Sequence, residues 1–247
     1  DIERNGVVDR LEVDATVGNQ PMALRYRTEP DTGKMRFQLD SLNAGAMLRA
    51  LGLFETMQGG RLYIDADAIA GGHPNDMAGT IQIENFTVVD APVLAKLINA
   101  LSIEGLQELV QNQGMSFTRL VSQFTYQKTP EGTMVTFKDG ATSGTEVGLT
   151  FEGQVNLTAG MMDISGTIVP LSTINSFIGK IPLVGQILTG GDALFAATYK
   201  MEGPSKEAAV KINPLSVLAP GIIRKVLFEG FDPAEKFENN LSGVNKN

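Results

Sequence analysis

The residue types able to do chemistry are few in this chain and poorly placed for it. Its 247 residues include no cysteine and a single histidine, so a Ser–His or Cys–His nucleophile pair would have to be built on His73. That histidine stands in Gly71-Gly72-His73-Pro74-Asn75-Asp76, a turn composition, and it reads as a surface-turn side chain. Asp65, Asp67, His73 and Asp76 are the one set from which a metal site can be imagined, because Asp65 and Asp67 share a face of an alternating segment. Their spacing lacks the dense oxygen ligands of a calcium loop, and solvated, outward-facing carboxylates are the expectation. No phosphate-cradling loop, dinucleotide fingerprint or Gly-x-Ser-x-Gly elbow is present, and no motif marks a carboxylate pair for hydrolysis. The residues point to a protein with no catalytic site, metal or cofactor.

Composition narrows the partners. Hydrophobic residues make up 43% and charged residues 19% of the chain, enough apolar surface for a core and too few charges for a disordered polymer. The formal net charge is -8, which argues against nucleic acid as a partner and against purely electrostatic attachment to anionic lipid. Any membrane contact must therefore be apolar. The absence of cysteine suits an oxidising compartment where no disulfide is used. The sequence opens on Asp1 without a charged-then-apolar leader, and reads as part of a longer chain whose signal or anchor lies upstream. No run approaches the ~18 uninterrupted apolar residues of a spanning helix.

The elements that must position these residues are mostly strands. Leu11, Val13, Ala15 and Val17 alternate with Glu12, Asp14 and Thr16; Met22, Leu24 and Tyr26 follow, then Met35, Phe37 and Leu39. Glu29-Pro30-Asp31-Thr32-Gly33 between the last two runs has hairpin-turn chemistry. Leu62, Ile64 and Ala66 alternate again, as do Ile81 and Ile83, after which Phe86 and Val88 continue on a shifted register; a β-bulge near Asn85 would produce that shift. Further strands are expected at 115–127, 132–138, 145–151, 153–158, 161–169, 193–202 and 207–213. The short connections between most of them exclude parallel crossovers, so the sheet is expected to be antiparallel. Gly79, Gly153, Gly166 and Gly203 fall in or beside strands, where glycine suits bends or close backbone approach.

Apolar residues three and four apart predict helices at 43–53, 91–112, 172–189 and 214–228, the third broken at Pro182 and the fourth at Pro220. Residues 1–230 are read as one domain and the polar, aperiodic 231–247 as a disordered tail. Between Ile168 and Leu188 the only charged residue is Lys180. Ile174, Phe177, Ile178 and Ile181 can share a face before Pro182, and Val184, Ile187 and Leu188 another after it. In the fourth segment Ile222, Ile223, Val226 and Leu227 lie beside Arg224 and Lys225. These two segments either cap the end of the β core or contact a membrane or a protein partner.

The run GTIVPLSTINSFIGKIPLVGQILTGGDALFAATYKMEGPSKEAAVKINPLSVLAPGIIRK resembles the closing section of AsmA-like proteins of the large YhdP-like type. Ile168-Val169-Pro170, Ile181 to Gly185, Thr189-Gly190-Gly191, Tyr199 with Gly203-Pro204, and Asn213 to Ser216 carry the likeness. Upstream, 45–66, 79–103 and 115–126 resemble the same region in order, so the similarity reaches to about residue 228. What the resemblance implies is the periplasmic part of an inner-membrane-anchored protein of a Gram-negative envelope. Its fold would be a bent antiparallel sheet forming an open, taco-like groove, with short helices inserted and capping its C-terminal end. It would bind and conduct phospholipid between the two membranes, with its C-terminal end near the inner leaflet of the outer membrane; the alternative is a non-enzymatic scaffold docking an outer-membrane or periplasmic protein. The residues expected to line the groove are Phe37, Leu39, Leu62, Ile64, Ile81, Ile83, Phe117, Val135, Phe137, Leu149 and Phe151. The alternation alone fits a closed sandwich core as well, and whether a second sheet covers that face is the question the sequence leaves open.

Overall fold

The alternating runs all become strands of one sheet in the computed structural model, which describes residues 10–31, 33–73, 75–100, 114–170 and 197–213. In chain order the elements are β1 (Arg10–Val17), β2 (Gln20–Thr28), β3 (Met35–Ser41), α1 (Ala44–Ala50), β4 (Met57–Ala68), β5 (Met77–Val88) and α2 (Pro92–Ala100). There follow β6 (Met115–Thr129), β7 (Gly132–Gly144), β8 (Val147–Asn156), β9 (Met161–Pro170), β10 (Ala197–Pro204) and β11 (Ala209–Asn213). The eleven strands pair in sequence order, β1 to β11, every neighbour antiparallel. β1 and β11 remain the two edges, so the sheet curves without closing into a barrel. Among the described residues there is no second sheet, and the closed sandwich is thereby set aside.

Short turns join the strands at one rim of the sheet, at 29–34, 69–76, 130–131, 157–160 and 205–208. The opposite rim carries α1 and α2, so the two are called the turn rim and the helical rim. The bulge expected near Asn85 is not found: Arg61↔Glu84 and Gly59↔Phe86 keep one register, and the apolar phase changes because both strands kink together, Asn85 at φ 51 and Gly60 at φ 80. The paired kink brings Phe86 to the face of Ile83, and both are buried. A second irregularity, with Asp139 at φ 50, shifts β7 against β8 between Phe137 and Gly140.

Two further expectations are corrected. The separate strands at 145–151 and 153–158 are one, β8, which continues through Gly153; glycine at φ +135 bends the strand rather than ending it. Of the helix expected at 91–112, residues 92–100 form α2, opening with Pro92, a residue whose fixed φ suits a first turn; 101–112 lie outside the described residues. Asp65 and Asp76 are not solvated carboxylates. The Asp65 side chain is 10% exposed against Arg36, and Asp76 is buried, accepting from the amides of His73 (3.1 Å) and Lys128 (3.0 Å). Asp76 thus ties the β4–β5 turn to the end of β6.

Candidate functional site

The two faces of the sheet differ chemically because every strand keeps its alternation in register. One face is charged: Arg36 donates to Asp65 (2.8 and 2.5 Å), Arg61 to Asp40 (2.6 Å) and Arg25 to Asp14 (2.6 Å). The hydrogen bond to Asp65 comes first in holding the Arg36 guanidinium above its ordinary range. A depression of about 620 Å³ at this face is lined by Asp14, Thr16, Pro21, Asp40, Leu42 and Arg61 among others. Its charges are already matched in pairs.

The other face is apolar and continuous across the strands. Cross-strand register sets Leu24 beside Leu39, Leu39 beside Ile64, and Ile64 beside Ile81. One position along, Tyr26 faces Phe37, Phe37 faces Ala66, Ala66 faces Gly79, and Gly79 faces Phe124. The same row continues through Phe137, Gly153, Ile164, Met201 and Val210 on β7 to β11. Nine strand spacings make this row roughly 43 Å long at about 4.8 Å per strand.

Aromatic side chains on this face repeatedly lie opposite a glycine. Register pairs Phe86 with Gly59, Phe117 with Gly144, Phe124 with Gly79, Phe137 with Gly153, Phe151 with Gly140, and Tyr199 with Gly166. Two of these sites show why nothing larger fits. A Cβ on Gly79 would run into the carbonyl of Asp65 and the backbone of Ala66, and one on Gly166 into the carbonyl of Thr150 and the Tyr199 hydroxyl. Neighbouring strands approach so closely on this side because the sheet bends towards it. Tyr199 lies across Gly166 and donates to the Thr150 carbonyl at 2.7 Å, spanning from β10 to β8. Burial pushes its phenol well above the usual range.

The helical rim fills its part of this face from within. Asn43 caps α1, accepting from the Ala46 amide at 2.9 Å, a common helix-start device. Gly45 lets the helix lie directly on the Met57 carbonyl, and Met47 and Leu48 are buried. α2 reaches across to the opposite rim. Its Leu97 and Ile98 are buried in the core, and Lys96 Nζ donates to the carbonyls of Glu207 and Ala208, both at 3.2 Å, on the β10–β11 turn. Lys206 of the same turn pairs with Glu55 at 3.0 Å. Phe86 and Phe117 stack beneath this rim with centroids 5.2 Å apart.

All eleven residues expected to line a groove lie on the apolar face, but in two states. Leu39, Leu62, Ile83, Phe117 and Leu149 are buried by the protein's own side chains. Phe37, Ile64, Ile81, Val135, Phe137 and Phe151 are half-buried; of these, Phe137 and Phe151 meet edge to face at 5.8 Å. The half-buried strip also includes Val13, Leu24, Tyr26, Phe124, Tyr126, Val155, Met162, Met201 and Val210, which the sequence reading did not single out although the same alternation marks them. The contact candidates Ile174, Phe177, Ile178, Ile181, Val184, Ile187, Leu188, Ile222, Ile223, Val226 and Leu227 lie outside the described residues, as does the 231–247 tail. His73 sits in an exposed turn, where Nδ1 accepts from the Asn75 amide at 3.4 Å. Among the described residues no helix is long and apolar enough to cross a membrane.

Fold and site together define a class: an open, curved antiparallel sheet with one charged face and one continuous apolar face that, among the described residues, no second sheet covers. No protein-family model, curated protein or solved structure matches the chain.

Proposed function

We propose that this chain is a lipid-binding, lipid-conducting module of a phospholipid bridge between the inner and outer membranes of a Gram-negative envelope, acting in the periplasm as part of an inner-membrane-anchored protein. The observation that carries the reading is the half-buried apolar strip crossing one face of a sheet over which, among the described residues, no second sheet lies. Side chains such as Phe37, Phe124 and Phe137 stand on it at partial exposure, and a contiguous apolar surface of that extent marks a binding site. Acyl chains suit it, because each methylene removed from water contributes about 0.8 kcal/mol without any polar partner. The strip runs across the strands, so successive positions offer similar contacts and a tail can slide with little change in energy. The resemblance of residues 45–228 to AsmA-like proteins supports the same reading.

The test is lipid capture. Protein purified without detergent and extracted with organic solvent is expected to release phospholipid. A photo-crosslinking residue at Phe37 or Phe137 is expected to trap lipid, and one at buried Leu62 to trap none. Absence of phospholipid from the extract together with no capture at Phe37 or Phe137 would sink the proposal. Stoichiometric recovery of one envelope protein in its place would favour the docking-scaffold alternative.

A further inference from the structure

We infer that the tip of the α1–β4 connection, Leu51 to Phe54, is a membrane-docking element that seats in the boundary between headgroups and acyl chains of a bilayer. Leu51, Leu53 and Phe54 are 51%, 46% and 41% exposed, and Leu42 at the start of the same connection is 45% exposed. Four exposed large apolar side chains in one connection are an expense in water that a buried face would not explain, since α1 already buries Met47 and Leu48 beneath them.

The backbone of the tip is prepared to leave water. Gly52, at φ +68, closes α1 in a left-handed turn. The Leu51 amide donates to the Met47 carbonyl (3.0 Å), Gly52 to Arg49 (3.0 Å), and Leu53 and Phe54 both to Leu48 (2.9 and 3.5 Å). All four N–H groups of the tip are therefore bonded within the turn itself. That is the condition for placing backbone in a medium without water to solvate it.

Charge and size point to a bilayer as the occupant. Residues 42–56 contain two charged side chains, Arg49 and Glu55. Arg49 donates to the Met57 carbonyl at 3.2 Å and Glu55 is paired with Lys206, so the carboxylate next to the tip does not face anionic headgroups alone. A stable protein interface uses roughly 20–30 residues a side; this tip offers three large apolar side chains on one turn. The inference stands apart from the apolar strip, because the tip docks on a bilayer whether or not the strip carries lipid.

The chain has no tryptophan, so Phe54→Trp supplies a single reporter. With vesicles of phosphatidylcholine, and of phosphatidylcholine with phosphatidylglycerol, the introduced indole is expected to shift its emission to the blue and to be quenched by brominated acyl chains. Replacing Leu51 and Leu53 together by Asp is expected to weaken vesicle flotation about tenfold or more, given the apolar area lost from the interface. Leu157→Asp, at the turn rim, is expected to leave flotation unchanged, and Leu53→Ser serves where the double variant fails to fold. Flotation without any change in indole emission would overturn the inference, as would the absence of flotation. Extraction of bound phospholipid from the same preparation reads the strip separately, so the two proposals fail independently.

Discussion

Tyr199 shows how one side chain serves both fold and face. Its ring covers a glycine, its hydroxyl reaches two strands away, and burial raises its pKa. A phenol whose folded pKa lies above its unfolded value contributes fully below the unfolded value and loses that contribution as pH rises towards the folded one. Stability is therefore expected to fall above about pH 10, where an unfolded tyrosine ionises. In Tyr199→Phe the alkaline decline should be shallower, although the protein is less stable at neutral pH by about 1 kcal/mol for the lost hydrogen bond. Urea midpoints at pH 8 and pH 11 measure both effects, and an unchanged alkaline slope would show that this phenol ionises freely in the folded protein. Asp65 illustrates what the sequence could not show at this scale. Its place on the polar face was legible from alternation, but its loss of solvent depended on Arg36, 29 residues away, lying diagonally across the β3–β4 pair.

At the scale of elements, the bend of the sheet rests on the pairing of small residues with large ones. The Ala66–Gly79 pair lies between Phe37 and Phe124 in one row, and Gly79 has the backbone of β4 where a Cβ would be. Gly79→Ala is expected to destabilise by about 1–3 kcal/mol through overpacking against an immovable strand, read from urea unfolding. An unaltered midpoint would mean that β4 and β5 can separate there at no cost. Alternation revealed these strands because each has one wet and one dry face, but the phase change at Asn85 reads as a bulge until the kink at Gly60 on the facing strand is known. The continuity of β8 through Gly153 was not legible. Glycine in a turn and glycine in a sharp bend look alike until the Phe137 ring opposite is known.

For the whole molecule, the decisive contact is α2 crossing from the helical rim to the β10–β11 turn. An ion pair from the α1–β4 connection to the same turn is the weaker part of this closure. Glu55 and Lys206 have side chains 60% and 79% exposed, and such pairs contribute about 0–1 kcal/mol. Leu97, fully buried, is expected to cost about 2–5 kcal/mol when cut to alanine. Thermal or urea unfolding of Lys206→Ala and Leu97→Ala should therefore separate clearly. A Lys206→Ala variant as damaged as Leu97→Ala would show that the rims are held by charge and not by the apolar core. The same contact decides how much of the apolar face is filled by the protein itself and how much is left as the strip.

The sequence by itself determined the strands, their antiparallel order, the charged and apolar faces, and the lack of any clustered nucleophile motif. These follow from period-two patterning and from residue counts, which are local properties. Only the tertiary structure decided that, among the described residues, the apolar face has no second sheet over it, and which side chains are buried and which form the strip. Leu62 and Ile64 are two residues apart on one strand and look equivalent in sequence; one lies in the buried core and the other stands half-buried on the strip. That difference is set by distant elements folding over the face, and no local pattern carries it. The exposed Leu51 to Phe54 tip belongs with it, since a helical period predicts an apolar side and says nothing about which of its residues the rest of the chain leaves in water.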